Sequence, residues 1–322
     1  MLSVSIRAFW LGRWLQSAVK KSGWISASLY KCYKFLRAGM SQTPSISTQA
    51  PLVSICLPVF NGERYLAKAV GSLLAQTYRN FELLIFDDAS TDASCSLLST
   101  IDDPRLILHR NERNLGPEEN WNRALAAAKG SYIKLFHQDD VLAPDCLARQ
   151  VVALETNPAA VLTFCGRSII RPDGSRILDR SAPWPEGEVS VGTILHGCIR
   201  AGTNLIGEPS AVLFRTEVAR KAGAFDGQIP YLIDLDYWLR LLGYGPGYCL
   251  KSPLVSFRIS PSQWSVAIGR RQSRQFMDFL DKLTATGRCR IGTMAMLRGR
   301  LMSVRNQVLR MLVYRLMLRD AR

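Results

Sequence analysis

The feature that most constrains this chain is a repeated alternation of apolar strings and helix-period segments. Leu52 to Val59 (LVSICLPV), Phe81 to Phe86 (FELLIF), Leu106 to His109 and Ser131 to Phe136 (SYIKLF) read as strands. Near-continuous apolar runs of this length suit strands covered on both faces. Between them, Glu63 to Gln76 places Leu66, Ala69, Val70, Leu73 and Leu74 at helical spacing. Ser94 to Thr100 and Glu119 to Ala128 also read as helices. The alternation predicts an α/β fold, a mostly parallel mixed sheet flanked by helices with right-handed crossovers. Further along, Ala160 to Gly166 and Ser210 to Phe214 are strand candidates, Asp173-Gly174 marks a hairpin turn, and Asp234 to Leu242 reads as a helix.

Charge divides the chain into three parts. The whole carries 41 Lys/Arg against 26 Asp/Glu, a net +15. Residues 1–50 hold a net +7, residues 51–263 a net −2 and residues 264–322 a net +10. The central part is close to neutral, so the basic excess does not describe a nucleic-acid groove, and no nucleic-acid partner is expected. The ends combine the charge with amphipathic helical patterns. At the N-terminus these are Ile6, Phe9, Trp10 and Trp14, then Ile25, Leu29, Cys32, Tyr33 and Leu36; a Ser/Thr/Pro-rich linker over residues 39–51 follows. At the C-terminus Leu297, Leu301, Val304, Val308, Met311 and Leu312 form a stripe among Arg298, Arg300, Arg305 and Arg310. Such ends predict docking on an anionic membrane surface. No transmembrane helix is expected, and Arg7 and Arg13 interrupt the one stretch that could have been a signal peptide. The eight scattered cysteines contain no C-x-x-C pair, which points to a reducing compartment, the cytosol.

Three acidic clusters stand out. Asp87-Asp88-x-Ser90-x-Asp92 follows the second strand; its carboxylates could contact a nucleotide, while Ser90 and Asp92 equally suit an N-cap for Ala93 to Leu98. Asp139-Asp140 follows the fourth strand and suits a hard divalent cation with oxygen ligands, or merely a loop before a helix. In a parallel sheet both clusters fall at the carboxyl edge, where ligands bind. Asp234 and Asp236 sit on the first turn of a largely apolar helix, where they complement the helix dipole; alternatively Asp234 protrudes as a general base.

The string from Val53 to Asp92 (VSICLPVFNGERYLAKAVGSLLAQTYRNFELLIFDDASTD) closely resembles the opening of family 2 glycosyltransferases. The resemblance continues through Asn114-Leu115-Gly116, HQDD at His137 to Asp140, PSAVLFR at Pro209 to Arg215, GAFD at Gly223 to Asp226 and the helix IDLDYWLRL. It covers roughly residues 51–263, which are expected to be the catalytic domain, with residues 1–50 and 264–322 as basic extensions. The resemblance implies a nucleotide-diphospho-sugar transferase fold, an inverting reaction, a nucleotide-sugar donor (UDP by family habit) and a divalent metal, Mg²⁺ or Mn²⁺. It implies that Pro58 and Phe60 line the base, that Asp88 contacts it, that Asp139 serves the ribose or supports the metal, that Asp140 binds the metal, and that Asp234 is the base. The acceptor would be a carbohydrate or lipid-linked hydroxyl in cell-surface polysaccharide or glycolipid assembly.

Three departures stand out. His137 and Ile233 replace frequent acids, and Ser260 stands where some members have a metal-binding His, which leaves Arg258 as a possible phosphate contact. His137 can replace an acid as ligand or pack as a neutral imidazole. A sugar-phosphate nucleotidyltransferase would share the acidic site, but Val59 to Glu63 is not its Gly-rich loop. A non-catalytic sugar-nucleotide binding protein is the other alternative, and the presence of both Asp140 and Asp234 argues against it.

Overall fold

The computed structural model describes residues 50–260, 268–286 and 292–317. The amphipathic patterns of residues 1–49 lie outside the described residues. The described residues from 51 onward form one compact unit.

The first half is the expected alternation. Strand β1 (Val53–Val59) leads to α1 (Glu63–Leu74), β2 (Phe81–Asp87), α2 (Ser94–Ser99), β3 (Leu106–Arg110), α3 (Pro117–Ala127) and β4 (Tyr132–Leu135). Helix α3 begins at Pro117 rather than at Glu119. Proline at the first helical position has no N–H to leave unpaired, and Gly116 precedes it at φ +83. Then come β5 (Val141–Leu142), α4 (Cys146–Thr156), β6 (Leu162–Ile170), β7 (Arg176–Arg180), β8 (Gly187–Val189), α5 (Val191–Ala201), β9 (Val212–Arg215), α6 (Thr216–Ala222), α7 (Ile233–Leu242) and β10 (Gly247–Arg258). Two helices follow, α8 (Gln272–Ala285) and α9 (Thr293–Met317).

These strands make one mixed sheet of order β3-β2-β1-β4-β9-β6-β10-β5, with β7 paired to β6 and β8 to β10. Strands β3, β2, β1 and β4 are parallel; β9 is antiparallel to both β4 and β6. Asp173-Gly174 does turn the β6–β7 hairpin, Gly174 adopting φ +94.

The period of two explains the continuous apolar runs. In β1, Val53, Ile55, Leu57 and Val59 join one core with Leu66, Val70 and Leu73 of α1 and Leu147 and Leu154 of α4. Cys56 faces a second core built on Trp121 of α3, Leu195 and Ile199 of α5, Trp238 of α7 and Phe276 and Phe279 of α8. Each strand therefore needs apolar residues on both faces.

Helix α9 closes on α5 without intervening side chains. A Cβ on Gly299 would lie 2.6 Å from the Ile199 carbonyl oxygen, and one on Gly202 would lie 2.4 Å from the Ser303 nitrogen. Gly202 also needs its φ of +64 to end α5. The contact is locked by Asn306 Nδ2 donating to Ala201 O at 2.7 Å, and by Arg300 pairing with Asp281 of α8 at 2.6 Å. Substituting Gly299→Val should force the helices apart and cost about 1–3 kcal/mol. Urea unfolding and limited proteolysis of α9 check this; an unchanged midpoint with α9 equally protected would contradict the close-contact account.

The other side of α9 stays bare. Leu297, Leu301, Val304, Val308 and Leu312 are all exposed, Leu301 at 64%. The stripe seen in the sequence is therefore not used to dock α9 on the described core. No helix among the described residues is long and apolar enough to cross a membrane.

Candidate active site

The carboxyl ends of β1, β2 and β4 supply three loops, which hold one another in place. After β1, Phe60 projects at 45% exposure. Its backbone N–H donates to Gln138 Oε1 at 2.9 Å, and its carbonyl accepts from Gln138 Nε2 at 2.9 Å. One side-chain amide thus joins the β1 loop to the HQDD loop. A Cβ at Gly62 would lie 2.5 Å from Gln138 Oε1, so a side chain there would push this amide off Phe60. Pro58, half-buried, is the penultimate residue of β1.

The β1 and β2 loops are clipped together by short polar side chains. Asn61, at φ +46, donates its N–H to Ser90 Oγ, and its Oδ1 accepts from Thr91 N. Gly62 N donates to Ser94 Oγ, and Glu63 N donates to Asp92 Oδ2 at 3.0 Å. Ala93 N in turn donates to the Glu63 carboxylate. The expectation that Ser90 or Asp92 caps the following helix therefore holds only in modified form. Ala93 occupies the N-cap position of α2, while Asp92 accepts from both Ser94 N and Glu63 N, serving the starts of two helices.

Asp88 is buried and heavily bonded. Its carboxylate accepts from Asn111 Nδ2 at 2.7 Å, Leu115 N at 2.8 Å and Gly116 N at 2.9 Å. These bonds shape the Asn114-Leu115-Gly116 turn at the start of α3. A carboxylate offers about four acceptor positions, so one remains.

The HQDD loop is the densest part of the site. Asp140 is fully buried. Its Oδ1 accepts the Arg258 N–H at 3.2 Å, and its Oδ2 has no hydrogen-bond partner. Burial, then the adjacent Asp139 charge, hold its carboxyl well above the usual range. Burial likewise pushes the Asp139 carboxyl up to about 6. His137 packs against Trp121 with ring centroids 5.3 Å apart, and its buried Nε2 has no partner. Burial lowers its imidazole to about 4, so the ring is neutral at physiological pH. Ligand atoms of His137, Asp139 and Asp140 all lie within 4.8 Å of one another. The two readings of His137 are thus compatible: it packs as a neutral imidazole, and that form carries a free lone pair.

Arg258 takes a different place from the phosphate contact the sequence allowed. It is fully buried, its Nε donates to Asp139 O at 2.9 Å, and its Nη1 donates to Arg171 O and Pro172 O, both at 3.1 Å. Its guanidinium also stacks 4.5 Å over the Tyr65 ring. The side chain holds the HQDD loop to the β6–β7 turn.

Asp234 and Asp236, two residues apart, have separate fates. Asp236 pairs with Arg240 at 2.9 Å and lies 3.6 Å from Lys282 of α8, a structural tie. Asp234 is half-buried, its Oδ2 accepting from Asn204 Nδ2 at 3.0 Å and its Oδ1 from the Leu235 N–H. Desolvation raises its carboxyl to about 7, with the nearby Glu208 charge adding to the effect. The segment from Asn204 to Ser210 brings this residue and the HQDD loop together. Asn204 also donates to Gly207 O, Ser210 Oγ accepts the His137 N–H at 3.0 Å, and the Glu208 charge acts on both Asp140 and Asp234.

Gln138, Asn204 and Glu208 were missed by sequence reading. Gln138 lay within the quoted HQDD and Glu208 directly before the quoted PSAVLFR, but neither side chain carries chemistry that marks it out.

The arrangement can do two things chemically. The buried Asp140 and half-buried Asp139 carboxylates, with a neutral imidazole, offer oxygen and nitrogen lone pairs to a cation. A carboxyl with its pKa near neutrality, tied to the HQDD loop through residues 204–210, can take a proton.

The family model described as "Glycosyl transferase family 2" matches residues 54–222. An uncharacterized protein of Mycobacterium tuberculosis is 32% identical over 212 residues, which is 63% of this chain and 65% of that one, just under two thirds of its length. Among solved structures, S. aureus TarS 1-349 in complex with UDP-GlcNAc is 16% identical with a TM-score of 0.58, covering 73% of this chain and 65% of that one. The mannosyltransferase PcManGT from Pyrobaculum calidifontis, in complex with GDP-Man and Mn²⁺, is 17% identical with a TM-score of 0.55, covering 78% and 71%. The α/β architecture expected from the sequence is therefore the one these solved structures share, and the chain belongs to glycosyl transferase family 2.

Proposed function

We propose that the chain transfers a sugar, with inversion, from a nucleotide-diphosphate donor to a hydroxyl acceptor, and that its donor is a UDP-sugar. The observation that carries this reading is the pair of orphaned buried atoms, Asp140 Oδ2 and His137 Nε2, beside Asp139 at the carboxyl edge of the sheet. Buried polar atoms ordinarily find partners. This donor set, carboxylate with neutral imidazole, fits a divalent metal, and Mn²⁺ suits such mixed ligands. The structural relative with bound Mn²⁺ supports the same reading. Asp140 would hold the metal directly with His137 beside it, and Asp139 would serve the ribose or support the metal. The metal would supply charge neutralisation at the diphosphate leaving group.

The rest falls to the chain itself. Phe60 and Pro58 offer an apolar face to the nucleobase, and the remaining acceptor position of Asp88 receives a base N–H. Asp234 takes the proton from the acceptor hydroxyl as it attacks the anomeric carbon. Asn204 fixes the Asp234 carboxylate in one orientation. In this reading the chemistry resides in residues 51–263. Incubation with a panel of nucleotide-sugars and Mn²⁺ should release free nucleoside diphosphate. No release with any donor would overturn the assignment in favour of a binding protein.

The same proposal places the protein on the cytosolic face of the membrane, working on carbohydrate or lipid-linked acceptors of the cell surface. Helix α9 supports this. It contains no acidic residue, and its exposed apolar stripe lies among arginines. Burying a Leu or Val contributes about 1.5–3 kcal/mol, and each basic residue at an anionic surface about 1 kcal/mol. The full chain should sediment with vesicles containing anionic lipid, less so at high salt. Leu301→Glu with Val308→Glu should release it. Indifference of the wild type to anionic vesicles at low salt would end the membrane claim.

A further inference from the structure

Around Glu208, whose charge reaches Asp234, the structure gathers three arginines. Arg167 of β6 and Arg180 of β7 are directly opposed in the antiparallel ladder, so their side chains share one face. Like charges in that position are destabilising unless something negative lies between them. Among the described residues Glu208 answers: it pairs with Arg167 Nε at 2.5 Å. Arg180 is exposed, its side chain makes no hydrogen bond or ion pair with any described residue, and the charges of Arg167 and Glu208 both act on it. A third guanidinium, Arg310, arrives from the inner side of α9, where its Nη2 donates to Thr203 Oγ1 at 3.2 Å and its Nη1 to Gln272 Oε1 at 2.9 Å. The charges of Arg180 and Glu208 both act on it.

One short segment ties these groups to the proposed base. Thr203 meets Arg310, Asn204 meets Asp234, and Glu208 meets Arg167. Arg167 pairs with Glu208, and the Glu208 charge also acts on Arg180, on Arg310 and on Asp234, so three guanidinium groups from three elements surround one carboxylate next to the residue that faces the acceptor hydroxyl if Asp234 is the base. The donor diphosphate is accounted for elsewhere, at the HQDD loop.

We propose that Arg167, Arg180 and Arg310 form an anion subsite for a phosphate or diphosphate group carried by the acceptor. This rests on the assignment of Asp234 as the base. Arginine forks match phosphate oxygens, and charge-assisted bonds of this kind are the strong ones. The same α9 that presents Arg310 inward presents its apolar stripe outward, so a lipid-borne phosphate fits both faces of one helix.

The test uses the full chain saturated with UDP and Mg²⁺ and titrated with methyl phosphate, followed by ligand-observed NMR. Saturable binding is expected in the wild type. Arg180→Glu, at an exposed position, should weaken it at least tenfold, whereas Arg180→Lys should keep most of it; urea midpoints confirm that both variants are folded. Farnesyl phosphate competing more tightly than methyl phosphate identifies a lipid-borne group, and equal competition a soluble one. Absence of saturable binding, or binding indifferent to Arg180→Glu, overturns the proposal. So does methyl phosphate binding only when UDP and Mg²⁺ are omitted, because the arginines then serve the donor. Nucleoside diphosphate release by the wild type tests the underlying activity separately. A chain that releases it but ignores methyl phosphate loses only this inference.

Discussion

Asp140→Asn is expected to lower turnover about a thousandfold, the equivalent of roughly 4 kcal/mol of leaving-group stabilisation. An amide is a poorer ligand than a carboxylate for a hard cation. The variant should fold at least as well as the wild type. Asp140 is buried beside Asp139, its carboxyl is destabilised in the charged form, and Oδ2 has no bond to lose. Loss of activity without loss of stability is thus the signature. Steady-state kinetics with and without added Mn²⁺, alongside a urea melt, reads both. Wild-type turnover in the variant, or in excess chelator, would contradict the metal assignment.

Asp234→Asn should cost about a hundredfold to ten-thousandfold in turnover while leaving donor affinity intact. The size is preserved and the proton acceptor is lost. The carboxyl ionises at about 7, above its ordinary value, chiefly because it is desolvated. A base works only when ionised. Wild-type kcat/KM should therefore rise with pH, with its midpoint near neutrality, and be low where the group is protonated. The variant should lose this limb and show a flat profile over the same range. Its stability should also respond in a defined sense. A raised carboxyl pKa makes the folded wild type progressively less favoured as pH rises between the ordinary carboxylate range and about 7. The variant should lack that slope. If instead the variant loses donor affinity but keeps turnover at saturation, Asp234 is a binding residue.

The acidic clusters were legible because of where they stand in the sequence. Each follows an apolar run, and a run that needs apolar residues on both faces can only be an interior strand. Asp88 and Asp139-Asp140 therefore had to lie at the carboxyl edge of the sheet. The sequence could not say what else those side chains touch. Asp88 spends three acceptor positions on the turn before α3, and Arg258 turns from possible ligand contact into an internal clamp. Both outcomes depend on residues distant in sequence, and hydrogen-bond partners leave no periodicity to read.

Asp234 and Asp236 show the same limit from another side. Both sit on the first turn of α7, and both satisfy its dipole equally. Lys282, on a helix near the other end of the chain, claims Asp236 for structure. Asn204, from the loop after α5, orients Asp234, while burial and then the nearby Glu208 charge leave it reluctant to ionise.

The layered α/β architecture was legible in the chain, because burial on both sheet faces writes itself as unbroken apolar strands between amphipathic helices. So was the placement of the acidic loops at one edge. Which of those carboxylates remain chemically available was settled by packing, because that depends on desolvation and on partners from elsewhere in the chain. Packing also decided that α9 joins its inner face to α5 through glycines and leaves its apolar stripe outward. An amphipathic period says that a helix has two faces; only packing decides which of them the core takes.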